Sequence, residues 1–221
     1  MQTSDSIVII PTYNEKENIE NIIRAVFGLE KTFHILVIED NSPDGTADIV
    51  RRLQNEFPER LFMIERKGKL GLGTAYITGF KWSIEKGYDY IFEMDADFSH
   101  NPNDLPRLYK ACHEEGADVS IGSRYVSGVN VVNWPMGRVL MSYFASKYVR
   151  FITGLPIHDT TAGFVCYRRK VLETIHLDHI RFKGYAFQIE MKFTAFKCGF
   201  HITEVPVIFI NRELGTSKMN S

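Results

Sequence analysis

Ile7-Val8-Ile9-Ile10, followed at once by Pro11-Thr12-Tyr13-Asn14-Glu15, is an apolar run that stops at turn-forming and charged residues. Unbroken β-branched residues of this length suit a strand buried on both faces. From residue 15 to residue 29 the apolar residues Ile19, Ile22, Ile23, Val26 and Leu29 fall at helical spacing. The couplet then recurs. His34–Glu39 reads as a second strand, and Ala47, Val50, Leu53 and Phe57 mark the next helix face, with Asp44 as its cap. Leu61–Glu65 reads as a third strand with a helix after a glycine-rich turn, and residues 90–94 as a fourth, followed by a helix from about residue 103 to residue 115. Residues 118–121 make a fifth strand. Strands alternating with helices predict an α/β fold with a mostly parallel, doubly wound, Rossmann-like sheet flanked by helices.

The second half reads differently. Residues 129–134 suit a loop and residues 136–151 a helix, on which Tyr143, Phe144, Tyr148 and Phe151 stand beside Arg138, Lys147 and Arg150. That helix fits either a membrane interface or a core helix with a basic outer face. Residues 187–198 suit another helix and residues 201–210 a strand. No repeat, low-complexity tract or linker divides the chain. The expectation is therefore one domain over residues 1–221, with a sheet-based half at about 7–125 and a second half at about 126–221 that completes the site.

Composition narrows the function. The chain is 44% hydrophobic and 24% charged, ordinary for a globular protein, and its net charge of −1 is unlike that of a general nucleic-acid binder. Cys112, Cys166 and Cys198 are odd in number and widely spaced, which suits reduced cytosolic thiols rather than a zinc site. Residues 1–6 are polar and carry no signal-peptide pattern, and no apolar run approaches the roughly 20 residues that span a bilayer. A cytoplasmic location is expected, with membrane contact peripheral or through an anchoring partner.

In open α/β sheets ligands bind beyond the carboxyl ends of the strands. Polar signatures recur there: residues 11–15, 40–46, 68–76, 95–97 and 122–125 each follow an expected strand. Asp95-Ala96-Asp97 is central. Two carboxylates one residue apart at the end of an apolar strand repel each other unless a cation lies between them. Oxygen ligands of this kind suit Mg2+ or Mn2+ together with substrate phosphates. An EF-hand is excluded, because its loop needs Gly at the sixth position and Glu at the twelfth, where His100 and Pro106 stand. Residues 68–75 form neither a Walker A loop nor a Rossmann fingerprint, and read as a glycine-permitted turn or a mobile loop near a phosphate. The segment at 212–218 places Arg212, Gly215, Thr216, Ser217 and Lys218 after an apolar strand, a composition suited to closing over phosphate. His100, His158 and His201 show no ligand spacing.

Taken in order, residues 11–15, 39–46, 70–76, 94–102, 122–125, 184–190 and 212–218 resemble the motifs of family 2 glycosyltransferases, and within them the dolichol- or polyprenol-phosphate mannose synthases. The resemblance runs from Ile7 to about Ser217. It implies a GT-A fold and an inverting, metal-dependent transfer of mannose from GDP-mannose to a polyprenyl (dolichyl-type) monophosphate. Residue by residue, it places Pro11, Tyr13 and Glu15 at the donor nucleotide, and Ile38 and Asp40 around its base and ribose. Asp95, Ala96 and Asp97 become the diphosphate–metal segment, with Asp97 the foremost ligand. Arg124, Arg212 and Lys218 resemble phosphate-binding cations, so Asp97, Arg124 and Arg212 are the expected catalytic set. Arg138 and Ser142 fall where relatives hold the acceptor phosphate, and Gln188 and Glu190 match a motif near the donor. Glu39 departs from the Asp of many relatives. The readings that compete are a family 2 transferase using UDP-glucose or UDP-GlcNAc, a non-catalytic nucleotide-sugar-binding module, and a phosphatase with Asp95 as nucleophile.

Overall fold

A computed structural model describes residues 4–212, 214 and 215. The first strands follow the apolar runs: β1 (Ser6–Thr12), β2 (His34–Glu39), β3 (Leu61–Glu65), β4 (Tyr90–Glu93) and β5 (Val119–Ser123). Between them lie α1 (Ile19–Phe27), α2 (Thr46–Glu56), α3 (Leu72–Glu85) and α4 (Leu105–His113). The second half adds β6 (Val131–Val132), α5 (Met136–Thr153), β7 (Val165–Arg168), α6 (Arg169–Thr174), α7 (Tyr185–Lys197), β8 (Ile202–Pro206) and β9 (Phe209–Ile210).

The main sheet runs β3-β2-β1-β4-β7-β5-β8, and every neighbour pair is parallel except the two made by β7. Successive side chains point to opposite faces of a strand. Ile7, Ile9, Leu36 and Ile38 accordingly pack under Ala75, Tyr76 and Phe80 of α3 and Phe187 and Met191 of α7. Val8, Ile10, Ile35 and Val37 pack under α1, α2 and α4 through Ile22, Val50 and Leu108. Both faces are covered, which is why these strands read as continuous apolar runs. A Cβ at Gly79 would lie 2.7 Å from Ile9 Cγ2, so glycine there lets α3 sit directly on β1.

Three differences from the sequence reading have local causes. Residues 15–18 form a turn in which Glu15 O accepts from the N–H groups of Asn18 and Ile19, so α1 starts at Ile19, the first residue of its apolar stripe, and not at residue 15. Val131–Val132, expected in a loop, pairs in parallel with Phe209–Ile210. The expected strand over 201–210 breaks at Pro206, which has no N–H to donate, and its far end joins that small ribbon. β7 and α6 were not foreseen. Asp44 caps α2 from one residue upstream of Gly45: its carboxylate accepts from Thr46 N–H at 3.0 Å and from Thr46 Oγ1 at 2.6 Å.

Candidate active site

The carboxyl ends of β1, β2 and β4 open onto one cleft, lined by Pro11, Thr12, Tyr13, Glu15, Asp40, Lys69, Gly71, Leu72, Ala75, Asp95, Ala96, Asp97 and Arg212. Left-handed backbone at Asn14 (φ 56) and Asn41 (φ 58) turns the chain sharply after β1 and β2, a conformation asparagine tolerates. The two turns are joined: Asn14 N–H donates to Ser42 Oγ at 3.0 Å and Glu15 N–H to Thr46 Oγ1 at 3.0 Å. Glu39 curls its buried carboxylate back onto the N–H groups of Asn41 and Ser42, both at 2.8 Å.

Asp97 is the most constrained acid of the cleft, with 7% of its side chain exposed. Its Oδ1 accepts from Ser99 N–H at 3.0 Å, and its Oδ2 pairs with Arg212 Nη2 at 2.5 Å. Arg212 Nη1 also reaches Glu15 Oε1 at 3.3 Å, and Asn18 Nδ2 donates to Glu15 Oε2 at 3.1 Å and to Leu214 O at 3.4 Å. Arg212 is thus drawn over the acids by contacts nearly 200 residues apart in sequence (Glu15 and Arg212, |i−j| 197). Asp95 has 39% of its side chain exposed. Loss of hydration, then the neighbouring charge of Asp97, push its carboxyl up to about 7, with Arg212 opposing. Phe98 turns the segment with φ 60, an uncommon value for an aromatic residue.

A divalent ion suits this donor set. Asp95 and Asp97 offer carboxylate oxygens on one short turn, and their mutual repulsion is relieved by a cation. Among the described residues no three His, Cys, Asp or Glu form a closed cage, so a bound ion would complete its shell from ligand oxygens.

A second cluster forms around Trp134. Arg124 is held by Asp159 through Nε at 2.6 Å and Nη2 at 2.6 Å, with Thr161 Oγ1 at 2.9 Å. Asp159 is fully buried, which alone would raise its pKa, yet the Arg124 hydrogen bonds outweigh burial and hold it below the usual value. The guanidinium carbons of Arg124 and Arg138 lie 5.5 Å and 3.9 Å from the Trp134 ring. Ser142 accepts from Tyr125 OH at 2.8 Å. Arg124 and His100 both lie 5.5 Å from the Phe209 ring, and His100 accepts from Asp95 N–H, so the two clusters are neighbours.

Of the residues expected at the site, Pro11, Tyr13, Glu15, Asp40, Asp95, Ala96, Asp97 and Arg212 line the cleft. Arg124, Arg138 and Ser142 belong to the second cluster. Three expected donor contacts sit elsewhere. Ile38 is fully buried under α3, because its position on β2 faces the core. Gln188 is buried behind the cleft and donates to Glu93 Oε2 at 2.5 Å. Glu190 accepts from the N–H groups of Arg181 and Phe182 at 2.9 Å each, securing the loop before α7. Lys218 lies outside the described residues.

Sequence reasoning missed several supports. Lys69 lines the cleft, its Nζ 5.5 Å from the Tyr13 ring. His100 accepts from Asp95 N–H at 3.1 Å and stacks on Phe164; burial drives its pKa down to about 4, keeping it a neutral acceptor. Lys192, fully buried, donates to Ala162 O at 2.6 Å and to Gln188 Oε1 at 3.2 Å. Burial pulls Lys192 down to about 8 and pushes Glu93 up to about 8, each opposed by the other's charge.

Residues 7–176 match the family described as Glycosyl transferase family 2. Over 218 residues the chain is 48% identical to the polyprenol monophosphomannose synthase of Mycolicibacterium smegmatis, covering 99% of this chain and 82% of that protein. It is 45% identical over 214 residues to the undecaprenyl-phosphate mannosyltransferase of Micrococcus luteus, covering 97% of this chain and 87% of that protein. Among solved structures, mannosyltransferase PcManGT from Pyrobaculum calidifontis, in complex with GDP-Man and Mn2+, superimposes with a TM-score of 0.65 at 18% identity, covering 96% of this chain and 58% of that one. Glucosyl-3-phosphoglycerate synthase from Mycobacterium tuberculosis, with Mn2+, UDP and glucosyl-3-phosphoglycerate, gives a TM-score of 0.65 at 18% identity over 94% of this chain and 72% of that one. At these identities the likeness to both structures establishes the fold, which is of the GT-A type.

Proposed function

Since the chain belongs to glycosyl transferase family 2, we propose that it moves mannose from GDP-mannose to a polyprenyl monophosphate, inverting the anomeric centre with the help of Mg2+ or Mn2+. The observation that supports this most is the pairing of two charged clusters. An acidic turn with a cation drawn over it suits a metal-bound diphosphate, and a basic, aromatic cluster beside it suits a second phosphate.

The acceptor phosphate has a second pKa of about 6 and is largely dianionic at neutral pH, so it attacks without a general base. Departure of the nucleotide diphosphate is then the demanding part of the reaction, with an oxocarbenium-like transition state. Asp95 and Asp97 would hold the divalent ion, which when bound offsets the negative charge gathering on the leaving diphosphate. Arg212, poised over Asp97 and Glu15, supplies positive charge at the same place, and Lys218 joins it in this reading. Tyr13 and Asp40 line the nucleoside end. Arg124 is fixed in orientation by Asp159, and Arg138 is exposed on the first turn of α5; together they would place the acceptor phosphate against the sugar.

A lipid acceptor brings the enzyme to a membrane surface. Among the described residues no helix is long and apolar enough to cross a membrane. α5 nevertheless leaves Met136, Met141, Phe144, Tyr148, Phe151 and Ile152 exposed, beside Arg138 and Lys147. An apolar face of this size with cations at its side suits a headgroup–acyl boundary, and we assign it a peripheral contact with the cytoplasmic leaflet.

A donor panel tests the reading. With polyprenyl phosphate and Mn2+ present, nucleoside diphosphate should be released from GDP-mannose. Release only from UDP-glucose or UDP-GlcNAc would reassign the donor, and release from none would favour a binding module.

A further inference from the structure

Arg66 is the first residue after β3, and nothing in its sequence context marks it for the cleft. Its backbone N–H donates to Glu39 O at 2.8 Å, which fixes it beside the end of β2. Its side chain is 7% exposed and faces Asp40, itself 9% exposed. Nε reaches Asp40 Oδ1 at 2.5 Å and Nη2 reaches Oδ2 at 2.7 Å, a bidentate fork. The other side of the same guanidinium turns to the glycine segment. Nη1 donates to Thr74 Oγ1 at 2.8 Å and Nη2 to Gly71 O at 3.4 Å. Thr74 Oγ1 lies 2.7 Å from Gly71 O, closing the turn at the start of α3.

We propose that Arg66 is the positioning residue of the nucleoside end of the cleft: it locks Asp40 and the glycine turn into one wall against which the base and ribose of a nucleoside diphosphate sit. The inference rests on the nucleotide-sugar reading above and deepens it. Asp40 and Gly71 both line the cleft, and Arg66 is the group that joins them. A carboxylate has about four acceptor sites. The fork occupies one on each oxygen, so Asp40 keeps capacity for N–H or O–H donors from a base or a ribose. The paired guanidinium also cancels a negative charge that would otherwise repel an incoming diphosphate. Lysine cannot reproduce this arrangement, because a point-like ammonium cannot serve a fork and a turn in fixed planar directions.

The test separates the nucleoside end from the phosphate end. Wild type, Arg66→Lys and Thr74→Val are titrated calorimetrically with GDP and with inorganic pyrophosphate, both with Mn2+. Pyrophosphate reports on the Asp97 and Arg212 end alone. Arg66→Lys should weaken GDP at least about tenfold while pyrophosphate changes less than about twofold, as expected for loss of a bidentate contact. Thr74→Val should weaken GDP in the same direction by a smaller factor, and KM for GDP-mannose should rise in both variants with little change in kcat. Unchanged GDP affinity in Arg66→Lys overturns the proposal. Equal losses for GDP and pyrophosphate also overturn it, since they would mark a merely structural residue. A wild-type protein that binds pyrophosphate but not GDP overturns the donor reading itself, and the Arg66 assignment with it.

Discussion

Asp97 is held from two directions, by a backbone N–H on one oxygen and by Arg212 on the other. Such an acid can exchange a side-chain cation for a metal ion without moving, which is what a preorganised site requires. Asp97→Ala should cut mannosyl transfer by at least about 10²-fold. The residue borders an open cleft, so the melting temperature should stay within a few degrees of wild type. Near-normal rates in a folded Asp97→Ala protein would remove the metal assignment. Acids and cations clustered directly after strands were legible because one sheet edge gathers the carboxyl ends of the parallel strands. Arg66 and Lys192 were not, because each acts on a partner distant in sequence: Arg66 reaches Asp40 across 26 positions and Lys192 reaches Ala162 across 30. Ile38, Gln188 and Glu190 are the converse case, motif positions whose side chains serve packing, a buried hydrogen bond or a loop.

Elements were legible in proportion to their periodicity. α1 and α2 bury clean stripes, and β1 and β2 each have a run of four apolar residues at their centre, so their apolar positions announced them. β7 has four residues, runs directly into α6, and inserts antiparallel between β4 and β5, a placement that no local pattern encodes. β6 and β9 are two-residue bridges that exist only as partners of each other. α5 is the opposite case. Its sequence suited an interface or a core helix, and its exposure favours the interface: Ser146 is its one buried residue and Phe151 is 86% exposed. A Phe144→Ser, Phe151→Ser double variant should lose most of its co-sedimentation with anionic phospholipid vesicles while retaining its affinity for GDP with Mn2+. Vesicle binding equal to wild type would move the membrane contact away from α5.

At the scale of the whole molecule, the parallel strands open onto the cleft, and the second half inserts β7 into the sheet and packs α7 on one face of it. Arg124 and Asp159 join the two, linking the end of β5 to the loop before β7. Breaking a buried pair by neutralising one partner costs about 3–5 kcal/mol. Asp159→Asn should destabilise the protein by that amount near neutral pH. Because the folded state holds Asp159 below its ordinary value of 3.8, the pair's contribution is complete well above 3.8 and is lost as pH falls through the lower folded value. The stability gap between wild type and Asp159→Asn, read from urea unfolding, should therefore narrow as pH is lowered below 3.8. The central claim concerns the reaction. Purified protein would be mixed with GDP-mannose labelled in the mannose, polyprenyl phosphate in detergent or vesicles, and Mn2+, with and without a chelator, and the label partitioned into organic solvent. Label in the lipid phase that disappears with chelator is the predicted result; label that stays in the aqueous phase with all three components present would contradict the account.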